Sequence, residues 1–579
     1  MRHPRVSFLP FSIWLGLVAF PPASLPLFAQ LAGTRASRYP DSISVLSDAR
    51  RWQYDFEETR RALLPLGGEA GGGQCDEVIG RVCYRYSPYG SMPNEPNGIR
   101  AAREKLLERL EASARRVPGD DWIAGQRVRY LLEQTRVDAA LAVSTGCRST
   151  RWWCEALEGL VLHQGGSYQA ADSVFALALS DMPAEERCRW TDLSLLFREE
   201  PYRLLSCEQR GLVNDWIWWL ARPLFALPGN DLRTEHYSRE VMVRLLKNTD
   251  WVYGLSWDWY VAESVLRYGA PTAWSRPWPN PWSQFTSPIL GYIRSPAFWF
   301  FASPASPLGD GLTDRASWDL SPMRPSARYA PVYANAFGTI PHVQLARFRR
   351  AQRTLTVGVF SVWGDTIFAG RVPTVTLGAG LDPGTPVAIG EPIESGNGVA
   401  TVETDWSPRV LSLEARSAEA LRVSRLRVVA GDGAPADTGL AVSDLLLFLP
   451  APDGTLPDSL ADALDRALAT SSLPQARIGL FWETYGSSVT EAGPEVQIGI
   501  MKLSSKGSLP PLGHWECLPE GKKQVALRGN HPGQAVGDFL AQTVVLDLGT
   551  IKPGRYAIAL RVSADSGRSA CATREIELR

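Results

Sequence analysis

Apolar residues keep a helical period through much of the first half of the chain and change to a period of two after about Pro325. From Ile99 to Arg116, the residues Leu106, Leu107, Leu110 and Ala114 make one apolar stripe among Arg, Glu and Lys, which predicts an amphipathic helix. Pro118-Gly119-Asp120 breaks it, and Asp120 or Asp121 is placed to cap the next helix. A further helix is predicted from Asp231 to Leu246, with Val241, Met242, Leu245 and Leu246 at helical spacing and Asp231 as N-cap. Beyond Pro325, Thr354 to Val362, Val399 to Glu403, Val410 to Ala415 and Leu421 to Val429 alternate between Gly, Pro and Asp punctuation. Such runs predict half-buried strands of a β-sandwich. Ser443-Asp444 leads into the apolar run Leu445 to Phe448, and residues 455 to 474 read as a connector, partly helical around Leu460 to Ala469. A second strand set follows at Ile478 to Tyr485, Val496 to Met501, Thr543 to Leu548, Tyr556 to Val562 and Cys571 to Leu578.

The helical part carries an internal repeat. Trp122 and Trp153 lie 31 residues apart, as do Ala140 and Ala171. The second copy runs Gly159, Gly166, Tyr168, Ala171, Phe175, Ala178, Pro183, and its spacing resembles the tetratricopeptide repeat. That resemblance implies paired antiparallel helices, brought close by small residues, filled by aromatics and ended by Pro, in a short array whose concave face binds peptides or proteins. Gly254-Leu255-Ser256-Trp257-Asp258 followed by Arg267-Tyr268-Gly269-Ala270-Pro271 resembles the GWxTD domain of bacterial proteins. Gly254 and Asp258 keep the outer spacing of that signature, while Leu255 and Trp257 stand at its Trp and Thr places. Ser443 to Leu447 and Phe481 to Gly486 also resemble segments downstream in such proteins, and the Pro553-Gly554-Arg555-Tyr556 turn resembles those of bacterial immunoglobulin-like modules.

The expected fold is therefore multi-domain α+β: an N-terminal α-helical tetratricopeptide-like array, a Trp-rich and mainly helical middle, and two C-terminal immunoglobulin-like β-sandwich domains. The expected boundaries are 1–32 for a signal peptide, 33–98 for a linker and N-terminal segment, 99–210 for the array, 211–325 for the Trp-rich GWxTD-like domain, and 326–455 and 456–579 for the sandwiches. The Gly-rich run 66–74 reads as a flexible linker.

Arg2 and Arg5, the apolar stretch Phe11 to Phe20, and small residues at Ala29 and Ala32 make a secretory leader, with an uncleaved anchor as the alternative. The later apolar stretch Trp216 to Leu227 is broken by Arg222 and Pro223, so no transmembrane span is expected once the leader is removed. An exported chain meets an oxidising space, periplasmic or secreted. Its eight cysteines then pair by proximity as Cys75–Cys83, Cys147–Cys154, Cys188–Cys207 and Cys517–Cys571. Zinc or free thiols are the alternatives, but the sequence holds no CxxC, and His514 near Cys517 lacks a second ligand pair.

Charge and motifs narrow the function. A net charge of −1 without a basic run argues against nucleic acid as a partner. There is no HExxH, no GxSxG and no Walker loop, so no catalytic residue, metal site or cofactor is assigned. A calcium site at Asp310, Asp314 and Asp319 lacks EF-hand spacing. Asp258, Glu263 and Glu483 lie among aromatics and could serve a hydrolase, although Arg267 near Glu263 favours a structural pair. His163 reads as a packing residue, and His236 with Glu235 as neighbours pointing apart. The cluster Trp216, Trp218, Trp219, Trp251, Trp257, Trp259, Trp274, Trp278, Trp282 and Trp299 serves packing, partner binding or sugar stacking. The expected binding residues are Trp251, Trp257, Asp258, Trp259, Arg267 and Tyr268. The expected function is an exported, non-enzymatic binding or scaffold protein of the cell envelope that recognises a protein or peptide. A glycan binder is the alternative, and a hydrolase comes third.

Overall fold

The computed structural model describes residues 39–67, 75–87, 92–196, 200–277, 289–294, 303–304, 318–319, 336–338, 340, 342–362, 367–368, 370–417, 422–430, 439–470, 472–473, 477–486, 493–503, 524–564 and 567–579. The leader, most of the Gly-rich run, Asp310, Asp314, His514, Cys517 and Trp278, Trp282 and Trp299 lie outside them, as does the side chain of Asp319.

Among the described residues, eleven helices precede the large sheets: α1 (Tyr39–Leu63), α2 (Asn97–Arg116), α3 (Asp121–Glu133), α4 (Val137–Thr145), α5 (Arg151–Gln164), α6 (Tyr168–Asp181), α7 (Ala184–Trp190), α8 (Glu200–Arg203), α9 (Cys207–Ala221), α10 (Asp231–Lys247) and α11 (Trp259–Tyr268). Helix α1 occupies the stretch expected to be linker and N-terminal segment. The predicted stripe of α2 is buried at Ile99, Leu106, Leu107 and Leu110. Asp120 caps α3, its carboxylate accepting the Ile123 amide at 2.8 Å. The cap of α10 corrects the expectation. Asn230, not Asp231, accepts the Arg233 amide at 3.1 Å, and its own amide group donates to the Trp218 carbonyl at 2.7 Å. Both residue types cap well, and the tertiary bond to α9 selects between them.

The α5/α6 hairpin explains the repeat spacing. A Cβ at Gly159 would stand 2.8 Å from the Phe175 ring, so only glycine admits that aromatic between the helices. Ala171 and Ala178 are fully buried beside it, and Pro183 follows the end of α6. Helices α1, α3 and α5 each open a hairpin, and their shared face is covered by α10 and the segment after it. Gln126 of α3 donates to the Leu245 carbonyl at 3.0 Å. Trp122 donates to Asn248 O at 3.2 Å, Gln53 of α1 to Asp250 O at 2.7 Å and Arg61 to Trp251 O at 2.8 Å. One apolar core joins these helices, including Trp153, Phe175, Tyr237, Leu245 and Trp251.

A small mixed sheet closes the far end of the helical body, in the order Leu66–Gly67, Ala273–Pro277, Leu290–Arg294, Val82–Ser87, Glu77–Ile79. Leu66 and Gly67, expected as linker, are thus a short strand beside Arg276 and Pro277. A separate two-strand pairing joins Ser303–Pro304 to Trp318–Asp319.

Four sheets follow. The first has six strands, built around Thr374–Gly380, Val410–Ser417 and Arg422–Val429. The second is the antiparallel trio His342–Arg350, Arg353–Ser361 and Asn397–Thr404, with Gly358 opposite Leu345 on one side and Ala400 on the other. The third centres on Arg477–Tyr485 and Phe539–Asp547, and the fourth on Glu495–Lys502, Gly554–Ser563 and Ser569–Leu578. A single turn of helix, α12 (Leu460–Asp465), falls within the expected connector.

The expected half-buried strands are instead buried on both faces through most of this region, because the sheets stack as four consecutive layers. Leu345 and Phe360 of the second sheet pack on Leu377, Leu411 and Leu413 of the first. On its other side, Phe348, Val357 and Val359 meet Leu446, Phe448 and Phe481 of the third. Ile478, Leu480 and Trp482 then face Ile498, Ile558 and Leu560 of the fourth. The polar positions of the alternating pattern turn inward and are paired. Arg347 meets Asp444 at 2.9 Å, and Arg350 grips both oxygens of Glu483 at 2.6 and 2.8 Å. The two expected sandwiches are therefore joined face to face.

Candidate functional site

The six residues expected to bind do not converge on one cleft. Trp251 is buried in the helical core, packed at 4.7 Å between ring centroids on Tyr253. Arg267 is buried and bonded to Glu263 at 2.7 Å, and Tyr268 packs on Tyr84. Gly269 ends α11 at φ +80°, a conformation that disfavours side chains with a Cβ, and its carbonyl accepts the Tyr84 hydroxyl at 3.1 Å.

The other three residues share the surface where α11 begins. Asp258 is the N-cap, accepting the Trp259 amide at 2.6 Å. Trp257 is half-buried, while Trp259 is 68% exposed. Of the tryptophans whose side chains are described, Trp259 alone is exposed. Beside it, the Glu77–Ile79/Val82–Ser87 hairpin lays its turn on Tyr260. A Cβ at Gly80 would meet that ring at 2.5 Å, and Arg81 donates to the Tyr260 hydroxyl at 3.1 Å. The hairpin also exposes Val78, and Cys75, just ahead of its first strand, is bonded to Cys83 of the second. The local sequence thus fixes a rigid base, made of the cap, the glycine turn and the disulfide, under one outward indole.

The tryptophans of α9 do something else. Trp218 packs toward His236 and Tyr237 of α10, while Trp219 lies against Phe225 and against Gly380 of the first sheet, where a Cβ would be 2.4 Å from the indole. Arg425 and Arg427 of that sheet donate at 2.7–2.9 Å to the carbonyls of Leu220, Arg222 and Pro223 at the C-terminus of α9, where the helix dipole is negative. Glu414 accepts the amides of Phe225 and Ala226 at 2.8 and 2.9 Å and is itself held by Arg427 at 3.0 Å. This clamp joins the helical body to the sheet stack.

The candidate carboxylates are similarly absorbed: Asp258 caps a helix, Glu263 pairs with Arg267, and Glu483 is bound by Arg350 and by the Tyr485 hydroxyl at 2.7 Å. His163 is more than a packing residue. Its ring nitrogens reach Thr234 Oγ1 at 2.9 Å and Glu235 Oε2 at 2.6 Å, and Arg239 holds the same carboxylate at 2.6 Å. Burial opposes the charge of Glu235, but Arg239 and His163 outweigh it and hold the carboxyl well below its ordinary range. The connectivity is that of a hydroxyl–imidazole–carboxylate relay. Thr234 is completely buried, however, so no substrate reaches its oxygen. His236 does point away from Glu235, donating to Trp190 O at 3.1 Å, and burial lowers it to about 4.

A charged cluster beneath α1 was missed in the sequence. Glu57, Arg60, Arg103 and Arg129 are all buried and meet Glu133 and Tyr130. Arg129 contacts Glu57 and Glu133, both at 3.1 Å, Arg60 and Arg103 contact Glu133, and Tyr130 donates to Glu57 at 2.8 Å. Burial pushes Glu57 upward against the pull of Arg60 and Arg129. Burial also works to raise Glu133, but Arg60, Arg129 and Arg103 bring it down to about 2. Glu57, Arg60 and Arg103 recur at helical spacing inside otherwise apolar faces, which is the one signal that could have marked them.

Among the described residues no group of three or more His, Cys, Asp or Glu is placed to hold a metal ion, and no helix is long and apolar enough to cross a membrane. Three of the expected disulfides are present, with Cα separations of 5.4, 5.7 and 5.6 Å for Cys75–Cys83, Cys147–Cys154 and Cys188–Cys207. Cys571 is also disulfide-bonded, and its expected partner lies outside the described residues. Such bridges fit an exported chain.

No protein-family model matches the chain, and no curated protein matches it. Among solved structures, the soluble domain of PmoD from Methylocystis sp. (Rockwell) matches at 13% identity and a TM-score of 0.14, over 23% of this chain and 89% of that one. A likeness at that score carries no argument about fold or function.

Proposed function

We propose that this is an exported, non-enzymatic binding or scaffold protein of the cell envelope, periplasmic or secreted, that recognises a protein or peptide partner. The observation that carries this reading is the exposed Trp259, mounted on a capped helix beside the disulfide-tied hairpin. Tryptophan is among the residues that dominate interface energetics when desolvated, and a rigid mount lowers the entropic cost of binding. The disulfides support the compartment.

The hairpins α3/α4 and α5/α6, with Gly159 and Phe175 in their repeat places, support a tetratricopeptide-like array, and the stacked sheets support two immunoglobulin-like sandwiches. The turns at Gly254 and Gly269, which bracket α11, are compatible with a GWxTD-like unit. In this reading the array acts as scaffold rather than receptor, because α10 already covers the face of α1, α3 and α5. Contact falls instead on the Trp259 surface. The glycan alternative asks for a row of exposed indoles, and the described tryptophans offer one.

Immobilised protein is exposed to envelope extract and to a polysaccharide panel, beside the Trp259→Ala variant. The expected result is a protein captured by the native chain and lost with Trp259→Ala at unchanged circular dichroism. Undiminished capture by the variant would overturn the assignment to this surface, and glycan binding without protein capture would overturn the partner class.

A further inference from the structure

We infer that the Cys188–Cys207 bridge is a thiol–disulfide exchange site, attacked at Cys188 by a protein dithiol carrying a Cys-x-x-Cys pair. The three bridges with both cysteines described differ in access. Cys83 is fully buried, and Cys147 and Cys154 are both half-buried. Cys207 is exposed, the one exposed half-cystine among the described residues, and its bridge spans 19 residues, against 8 and 7 for the other two. It ties α7 to the first residue of α9, the helix that joins the two halves of the molecule.

The surroundings distinguish the two sulfurs. Cys188 lies between Arg187 and Arg189 in sequence, both exposed, but Arg189 already pairs with Glu186 at 2.5 Å and Arg187 donates to the Leu179 carbonyl, so neither marks this sulfur as a site of free positive charge. Cys207 opens α9, where Ser206 and Gln209 form a reciprocal cap and the first-turn amides favour a negative sulfur. A leaving thiol with a lowered pKa departs faster. Cys207 is the more exposed of the two residues, so access does not select Cys188; the helix N-terminus does, by making Cys207 the better leaving group and Cys188 therefore the sulfur attacked.

Recognition has its own candidates. Leu204 is 85% exposed three residues before Cys207, and Leu212 is 62% exposed five residues after it. Two large apolar side chains beside an accessible bridge suit a protein reductant with an apolar rim around its own cysteines, and not merely a small thiol.

In the step itself, the reductant's thiolate bonds to Cys188 Sγ, the Cys188–Cys207 bond breaks, and Cys207 leaves as a thiolate with the bonding pair. The reductant's second thiolate then attacks its own sulfur in the mixed disulfide, closing the reductant's disulfide and releasing the Cys188 thiolate. Two electrons pass from the dithiol to the bridge, and the protons of the two reductant thiols balance those taken up by Cys188 and Cys207.

The test uses the full chain and a Cys-x-x-Cys reductant whose second cysteine is replaced, so that the mixed disulfide is trapped. Mass mapping is expected to place the adduct on Cys188, with Cys207 free and the other bridges intact. An adduct on Cys207, or equal or faster trapping at any other cysteine, would overturn the assignment. With the intact reductant, Leu204→Ser and Leu212→Ser together are expected to slow reduction by roughly tenfold, the loss of about one buried leucine contact. The rate with dithiothreitol is expected to be unchanged. Equal effects on both reductants, or on neither, would remove the recognition part of the proposal.

Discussion

The helical body and the sheet stack bury charge in different ways. In the stack, each guanidinium of the three main buried pairs bolts one surface to the next: Arg427 and Glu414 face α9, Arg347 meets Asp444, and Arg350 meets Glu483 across the second and third sheets. In the helical body the charges share partners. Glu133 alone serves Arg60, Arg103 and Arg129, Glu57 serves two of the same arginines, and Glu240 is left with burial outweighing the nearby Arg189. A bolt is local, so its loss opens one interface. A shared cluster is not, so removing one member leaves several buried charges unbalanced.

Arg60→Met tests the shared cluster most severely. It strands Glu57 and Glu133 in the core and is expected to cost about 3–5 kcal/mol in chemical denaturation. Adding Glu57→Gln is expected to restore part of that loss, because the carboxylate that Arg60 and Arg129 jointly serve becomes neutral. If the double variant were only the sum of the two single losses, the charges would be independent pairs as in the stack.

Glu240→Gln acts in the opposite direction. Burial comes first among its causes, Arg189 opposes it, Glu186 and Asp192 add to it, and the carboxyl rises from 4.5 to about 8. Below pH 4.5 the group is protonated in both folded and unfolded chains and contributes nothing. Between 4.5 and 8 the unfolded chain releases the proton while the folded chain keeps it, so stability falls as pH rises. The variant is therefore expected to be neutral at pH 4 and stabilising by up to about 3 kcal/mol at pH 7. His236 works on the other flank. Its depressed value makes stability fall as pH drops from 6.5 through about 4. A Gln variant with the same benefit at both pH values would show that Glu240 is charged in the fold.

Glu414→Gln tests a single bolt. It keeps the size but removes the charge that Arg427 and the Phe225 and Ala226 amides share, with an expected loss of roughly 2 kcal/mol. The expected signature is proteolytic nicking between α9 and α10, with both halves remaining folded. Loss of the helical circular dichroism as well would mean that α9 is not a separable joint.

Much of the fold can be read in the chain, and the misreadings share a cause. The stripe of α2, the α5/α6 spacing, most strand positions and the three near disulfides follow from local pattern, which local geometry obeys. Layering does not. Glu414, Arg427, Gln344, Arg347 and Glu483 alternate with apolar residues as solvent-facing positions do, yet each is buried because another layer supplies a partner. Periodicity reports that two faces differ, not that one is wet. The same limit applies to the binding residues. Trp251 and Trp259 are the same residue type eight positions apart, and it is tertiary packing, with α1 donating to the Asp250 and Trp251 carbonyls and Tyr253 against the Trp251 ring, that sends one inward.

The smallest expected effect separates the surface from the core it stands on. Asp258→Ala removes the cap of α11, where the carboxylate accepts the Trp259 amide, and is expected to cost about 1 kcal/mol. Because Asp258 is exposed and belongs to neither a bolt nor the shared cluster, this loss should add to that of Glu414→Gln without coupling. Partner capture should weaken, since the indole loses its fixed mount, while Trp259→Ala should abolish capture at little cost in stability. If Asp258→Ala left capture untouched, the mount would be irrelevant and only the indole itself would matter. If it unfolded the helical body, α11 would belong to the shared core, and the contrast between a rigid scaffold and the contact surface it carries would fail.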